Sequence, residues 1–405
     1  MRSVEDHLQA VLAGVGPLAP LDVTLVESRG CVLAEDVTAP WPLPAFDQAA
    51  TDGYAVVADD LLTASDGKPT RLAVIDDVPA GYRASHDLVP GKAIRIQTGA
   101  PVPEGADAVV PLDRTDGGMR EVAITRGVRV GDYVRHRGDD VELGEVVVPA
   151  GTVVGPREIA LLAAVGRGRV SVHPQPRVVV LSIGSELVEP GGQLAPGLVA
   201  DSNGVTIAAA VQESGAIAYR VGPLRDDATT LLATLEDQLV RADLIVTTGG
   251  VSAGAYDTVK SVLSRLGTVE FTKVAMQPGM PQGHGTLGPD ETPIFTLPGN
   301  PVSAYVSFEV FVRPVIRRML GHERIYRPVV RAVLVDPLPS PAGRRQFARG
   351  VLSVEDGRYV VRPAGGQGSH MLGGLSRANA LVVVPEDVTE VKPGEAVAVL
   401  RLDEG

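Results

Sequence analysis

The chain is poor in cysteine: Cys31 is the only one. A lone thiol excludes a disulfide framework and a thiolate metal centre. Aromatic residues are scarce while Gly, Pro, Val and Ala abound, which suits α/β and β-rich domains with many turns. Positive charge is short as well. A formal net charge of −12 argues against nucleic acid or an anionic membrane as the main partner. No apolar run approaches the length of a membrane span, and MRSVEDHLQAVL lacks the basic and apolar regions of a signal peptide. These absences lead us to expect a soluble cytoplasmic protein. The histidines show no HExxH and no i, i+4 pair, and there is no GxxxxGK[ST] phosphate loop.

What the chain does have is LIVTTGGVSAGAYDTVK, residues 244–260. LIVTT is a short β-branched run that stops at Gly249-Gly250, which reads as a buried parallel strand. Val259, Val262, Leu263 and Leu266 then recur at helical spacing, with Gly267 as the expected stop. A strand, a Gly-rich loop and a helix turn backbone N–H groups toward an anion. Asp257 at the helix start either caps the helix or points a carboxylate into the same crevice. Many Gly-rich turns bind nothing, so this motif alone decides little.

At 405 residues the chain holds two to four domains. Ser3 to Asp6 resembles a capping box, and Val4, Leu8, Val11 and Leu12 form one helical face. APWPLPAFDQ (39–48) is an extended connector. Five short strands follow, YAVVA, TRLAVID, KAIRIQTG, DAVVPLD and REVAIT, separated by turns. VRHRGDDV returns the chain from this β domain, so it is read as an insertion: 1–45 with 136–174 form a discontinuous N-terminal linker and dimerisation domain, and 46–135 the inserted domain. Residues 175–326 alternate strand and helix, the pattern of a doubly wound sheet that binds ligands beyond its strands' carboxyl ends. Ser202 or Asn203 is expected to cap the helix in DSNGVTIAAAVQESG. Residues 327–405 turn β-rich again and read as a small barrel. The fold class is thus α/β multidomain.

Three strand ends carry polar loops: Gly184-Ser185-Glu186, Gly249 to Asp257, and Pro298-Gly299-Asn300-Pro301. All three should open on one sheet edge. Glu186 and Asp257 add carboxylates there, and Asp226 is either a third or a plain helix N-cap. Carboxylates beside an anion site need a bridging cation, and Mg²⁺ does this with one or two carboxylates plus phosphate oxygens. The residues therefore point to a phosphorylated ligand with Mg²⁺.

TTGGVSAGAYDTVK, LPGNPVSA, TDGYAV, TGAPVPEGADAVV, RGDDV and GQGSHMLGGLSRANALVVVP together resemble the molybdopterin molybdenumtransferases, MoeA in bacteria and the E domain of gephyrin in animals. The motifs span almost the whole chain in family order. The resemblance implies a homodimer of four-domain subunits. It implies Mg²⁺-dependent insertion of molybdate into adenylylated molybdopterin, with release of AMP. The cleft it implies is shared between the α/β domain of one subunit and the β domain of the other. Carried over residue by residue, it implies catalytic roles for Asp52, Thr98, Asp140, Glu186 and Asp257, with Glu186 and Asp257 holding the metal. Substrate-binding roles fall on Asp226, Gly249, Gly250, Ser252, Lys273, Pro298, Asn300, Pro301, Arg349 and Ser369. The implied partners are the molybdopterin adenylyltransferase and the recipient molybdoenzymes.

The chain departs from the family at three points. Thr51 replaces a Met, Gly184-Ser185-Glu186-Leu187 lacks the first acid of TGDEL, and Gln277-Pro278-Gly279-Met280-Pro281 lacks both lysines of KPGKP. The lysine loss opens an alternative, a paralogue that carries molybdopterin nucleotide without catalysis. The adenylyltransferase of the pathway is a weaker rival, because β-rich segments flank the α/β domain on both sides.

Overall fold

The computed structural model describes residues 1–250 and 256–403, the side chains of Tyr256 and Asp257 excepted. The chain divides into two compact units. One comprises Met1–Leu21, Gly30–Ala34 and Ser171–Gly405; the other comprises Asp22–Arg29 and Glu35–Val170.

The first unit is built on a six-stranded sheet in the order Ile217–Leu224, Arg177–Ile183, Leu244–Thr248, Thr292–Leu297, Pro281–Leu287, Gly267–Lys273. The first four strands are parallel, and Pro281–Leu287 runs antiparallel to both of its neighbours. Val178, Val180, Leu244, Val246 and Phe295 pack on one face with Ile207, Val211, Phe308 and Phe311. Val179, Leu181, Ile245 and Ile294 pack on the other with Leu231, Leu235, Val259 and Leu263. Helices on both faces explain why these strands read as unbroken apolar runs rather than alternating ones. Each fully buried Val, Leu or Ile contributes about 1.5–3 kcal/mol.

The strand Pro281–Leu287, PQGHGTL, paired on both sides, was not expected from the sequence. Its glycines hide it. A Cβ on Gly285 would lie 1.9 Å from the Thr268 carbonyl oxygen, and one on Gly283 would press on the Phe271 ring at 3.0 Å. Gly267 also corrects the reading. The helix Tyr256–Leu266 does end there, but Gly267 opens a strand, and its missing Cβ admits the Thr286 carbonyl.

Two helix caps differ from expectation. The helix Ser202–Glu213 is capped by Asp201, whose carboxylate accepts the Gly204 N–H at 2.8 Å. Asp201 is fully buried and can serve there because Arg220 compensates its charge at 2.8 Å. The helix Ala228–Leu239 is capped by Asp227, which accepts the Thr230 N–H at 2.8 Å, and not by Asp226.

The N-terminal helix Val4–Leu12 starts as predicted, with Ser3 Oγ accepting the Asp6 N–H at 3.0 Å. Its buried face includes His7, which stacks edge-to-face on His284 at 4.9 Å and on Phe311 at 4.6 Å. The backbone before this helix lies along the sheet edge: Arg2 N–H donates to the Lys273 carbonyl and Ala275 N–H to that of Arg2.

The C-terminal barrel runs Arg345–Glu355, Arg358–Pro363, Val329–Leu334, Ala396–Arg401, Ala380–Val384 and closes back on Arg345–Glu355. Leu334, Val361, Val382 and Val399 fill it. Closure removes the free edges of the sheet.

The second unit carries a five-stranded sheet in the order Ala108–Pro111, Gly53–Val56, Lys92–Ile96, Thr70–Val78, Glu121–Ile124. These are the five strands expected between Tyr54 and Val134. Tyr54, Val56 and Val110 pack on one side, Ala55, Ile94 and Val109 on the other. No described helix is long and apolar enough to cross a membrane.

Candidate functional site

The parallel strands of the first unit end on one edge, as their loops suggested. Gly184 N–H donates to the Leu224 carbonyl at 2.9 Å, and Gly249 N–H to that of Leu297 at 3.1 Å. Beyond these ends lies a cleft of about 270 Å³, lined by Gly184, Glu186, Asn203, Asp226, Gly249, Gly250 and Gly299 among others.

Bare backbone forms much of its wall. Gly249 has φ +88°, and a Cβ there would lie 2.2 Å from the Ile183 carbonyl oxygen. A Cβ on Gly299 would reach the Gly249 Cα at 3.6 Å, so the two loops nearly touch. Glycine is required at 249 because any side chain would separate strand ends that hydrogen-bond through it.

Two carboxylates enter the same cleft. Glu186 folds back over Gly184, where a Cβ would lie 2.6 Å from its Oε2. Asp226 Oδ2 accepts the Ser185 N–H at 3.3 Å, while Ser185 Oγ accepts the Asp226 N–H at 3.2 Å. Asp226 Oδ1 is enclosed and has no partner. Because Asp227 is the cap, Asp226 is free for another role. Among the described residues no three His, Cys, Asp or Glu side chains gather tightly enough to form a protein-only metal cage. Two carboxylates, one of them with an unsatisfied oxygen, fit a cation that draws its remaining ligands from phosphate and water, as Mg²⁺ does. Ser252 and the Asp257 carboxylate lie outside the described residues.

The turn at 298–301 is partly as read. Pro298 is buried and Pro301 opens the helix Pro301–Ser307. Asn300 holds the N-cap position, but its side chain makes no capping bond. Val302 N–H donates to the Ser369 carbonyl at 3.0 Å, which brings the loop of Ser369 against this turn.

Arg349 is 1% exposed. It donates to the carbonyls of Met371 at 2.7 Å, Gly366 at 2.6 Å and Gly368 at 3.2 Å, so it braces the loop that carries Ser369. Burial pushes its guanidinium pKa down. Lys273 is exposed and ends its strand opposite Pro281. At the lysine-free turn, Gln277 Oε1 accepts from Arg344 Nη1 at 3.4 Å. This arginine was not picked out in the sequence, because 67 residues separate it from Gln277.

In the second unit, Asp52 Oδ1 accepts both the Thr98 hydroxyl at 2.6 Å and the Thr98 N–H at 2.7 Å. These bonds, the hydroxyl foremost, hold the Asp52 carboxyl below the usual range. Asp140 is exposed and lines a separate hollow with Leu43, Pro44, Gln48, Arg135 and Asp139. Its N–H donates to the Leu43 carbonyl at 2.9 Å.

The cleft also contains Asn203, which with Ser202 is one of two cap candidates in the sequence. Asn203 Nδ2 donates to the Gly299 carbonyl at 2.7 Å. Its place at a helix start, two residues after Asp201, was the available signal.

Fold and cleft together define a multidomain α/β protein with a sheet edge of bare backbone and carboxylates. Family models agree along the chain. The MoeA N-terminal region (domain I and II) matches residues 2–166, a "probable molybdopterin binding domain" matches 179–318, and the MoeA C-terminal region (domain IV) matches 331–402. Molybdopterin molybdenumtransferase 2 of Mycobacterium tuberculosis is 46% identical over 408 residues, covering 99% of this chain and 100% of that protein. Molybdopterin molybdenumtransferase of Bacillus subtilis is 35% identical, covering 94% and 90%. A crystal structure of the molybdopterin biosynthesis MoeA protein from Pyrococcus horikosii superposes with TM-score 0.84 at 34% identity, covering 100% of this chain and 99% of that one. The chain belongs to the MoeA family of molybdopterin molybdenumtransferases, which act in molybdenum cofactor biosynthesis. These relatives give no support to the non-catalytic carrier.

Proposed function

We propose that the protein inserts molybdate into adenylylated molybdopterin in a Mg²⁺-dependent reaction that releases AMP. The observation that carries this reading is one cleft that joins the bare backbone of Gly249, Gly250 and Gly299 to the carboxylates of Glu186 and Asp226. Backbone N–H groups suit the nucleotide's phosphates, with the helix Tyr256–Leu266 adding its dipole. Glu186 and Asp226 would hold Mg²⁺, together with the Asp257 that the resemblance assigns. When bound, that ion offsets charge on the phosphate oxygens. Glu186 and Asp226 are also the groups in the cleft that accept hydrogen bonds and orient a ligand's donors.

Asp52, Thr98 and Asp140 enter this reading through a homodimer, in which two copies of the chain contribute to one catalytic centre. The finer division belongs to the same proposal: 1–45 with 136–174, then 46–135, 175–326 and 327–405. So do the adenylyltransferase and the recipient molybdoenzymes as partners. The test is to supply purified protein with adenylylated molybdopterin, Mg²⁺ and molybdate and to follow AMP. Molybdate-dependent AMP release supports the proposal; none at any molybdate concentration overturns it.

A further inference from the structure

Asn203 lines the cleft from the first turn of the helix Ser202–Glu213. One Nδ2 proton is committed to the Gly299 carbonyl at 2.7 Å. That carbonyl belongs to the loop in which a Cβ added to Gly299 would meet the Gly249 Cα at 3.6 Å. Asn203 thus ties a helix of one βα unit to the loop of another, across the mouth of the cleft. Its own footing is rigid. Asp201 caps the helix through the Gly204 N–H at 2.8 Å, and Arg220 grips Asp201 at 2.8 Å and Glu189 at 2.8 Å. A fully buried carboxylate held this way resists displacement, because losing either partner leaves a charge unpaired away from water. The chain Glu189, Arg220, Asp201, Asn203, Gly299 therefore runs from the surface to the cleft without a free joint.

We infer that Asn203 is a positioning residue: its amide fixes the Gly299 peptide opposite Gly249 and so sets the width of the slot that receives the nucleotide's phosphate. This rests on the reaction proposed above. Among the described residues no other side chain hydrogen-bonds the Gly299 peptide. Turning its carbonyl toward Asn203 turns the N–H of Asn300, on the same planar peptide, the opposite way. Without the tether the loop samples other peptide orientations, and each bound phosphate must first select the right one. The effect then falls on binding. Saturating substrate restores the geometry.

The experiment replaces Asn203 by Leu, which keeps the side chain's bulk and neutrality but removes the donor. AMP is the binding probe, titrated by calorimetry, and AMP release gives kcat and KM for the pterin nucleotide. The expected result is about a tenfold weaker AMP affinity and a matching rise in KM, with kcat within about threefold of wild type. The thermal midpoint should stay within a few degrees, since one exposed-side hydrogen bond is lost. Unchanged AMP affinity and KM overturn the inference, whatever the midpoint does. A fall in kcat at constant KM also overturns it, because that places Asn203 in the chemistry. If the Leu variant does not fold, Asn203→Asp takes its place, with a carboxylate facing the Gly299 carbonyl and a larger loss of affinity expected. Wild type that neither binds AMP nor releases it overturns the proposed reaction and this inference with it. Active wild type with an indifferent variant overturns this inference alone.

Discussion

The N–H of Val302 donates to the carbonyl of Ser369 at 3.0 Å. This single bond passes between the helix that follows the 298–301 turn and a loop of the C-terminal barrel. The loop keeps its shape because Arg349 takes three of its carbonyls. A helix end in the α/β domain is therefore held by an arginine it does not touch.

Arg349→Met should release that loop. Three carbonyls lose a charged donor in a buried setting, so stability should fall by about 2–5 kcal/mol. Limited proteolysis should find new cuts between residues 365 and 371, and chemical denaturation should give the loss. An unchanged midpoint with no new cuts would show that Ser369 is positioned by something else.

Asp226 and Asp227 should separate cleanly. Asp227→Ala removes a helix cap and should cost about 1 kcal/mol of stability while sparing turnover. Asp226→Asn should abolish most turnover while leaving stability nearly intact. Thermal midpoints and AMP release on the pair decide it. Equal behaviour of the two variants would remove Asp226 from the proposed metal-holding role.

The turn without lysines has a guanidinium beside it. Gln277→Lys with Met280→Lys should lower the molybdate concentration needed for half-maximal AMP release, by about tenfold if even part of the Coulomb attraction survives solvent. Arg344→Ala should raise that concentration, since Arg344 is the cation in contact with Gln277. If neither change moves the molybdate dependence, charge at this turn does not govern oxyanion binding.

Acid should loosen the N-terminal helix. Burial, then His284 and Arg2, lowers the His7 pKa from 6.5 to about 3. The folded state therefore prefers neutral imidazole, while the unfolded chain takes up a proton below about pH 6.5. This contribution to stability is complete above that pH and shrinks as the pH falls toward about 3. Between pH 7 and pH 5 it should amount to roughly 2 kcal/mol. His284, also lowered by burial, acts in the same direction. His7→Phe should flatten the pH dependence of the thermal midpoint between pH 5 and 7; an equally steep profile in the variant would assign it to other groups.

Mixed protomers test the shared catalytic centre. Asp52→Ala and Asp226→Asn chains should each be inactive alone and should regain up to about a quarter of wild-type activity per total centre when unfolded together and refolded, by random pairing and one intact centre per mixed dimer. No recovery would mean that both residues act from the same chain.

How much of this could be read in advance depended on what side chains reveal. Runs such as VVVLSI and LIVTT announce strands because both sheet faces are apolar. PQGHGTL does not, since Gly283 and Gly285 are chosen for what approaches their backbone. Glu186, Gly249 and Gly250 could be placed at one sheet edge in advance because each lies within three residues of a strand end. Asn203 was visible only as a cap candidate, because the Gly299 carbonyl it binds is 96 residues away. The division of labour between Asp226 and Asp227 likewise needed coordinates, as either acid suits a helix start. His7 looked polar and was left off the helical face, though His284 and Phe311 enclose it.

The bond from Arg2 to Glu270 spans 268 residues of chain. A ribosome adding about 5–20 residues per second needs roughly 15–50 seconds to make that stretch. Through all of it the first helix has no sheet edge to lie on, and nine residues hold little helix unaided. The helix Val4–Leu12 is made long before the strand that carries Glu270, and it is among the last elements to find its place.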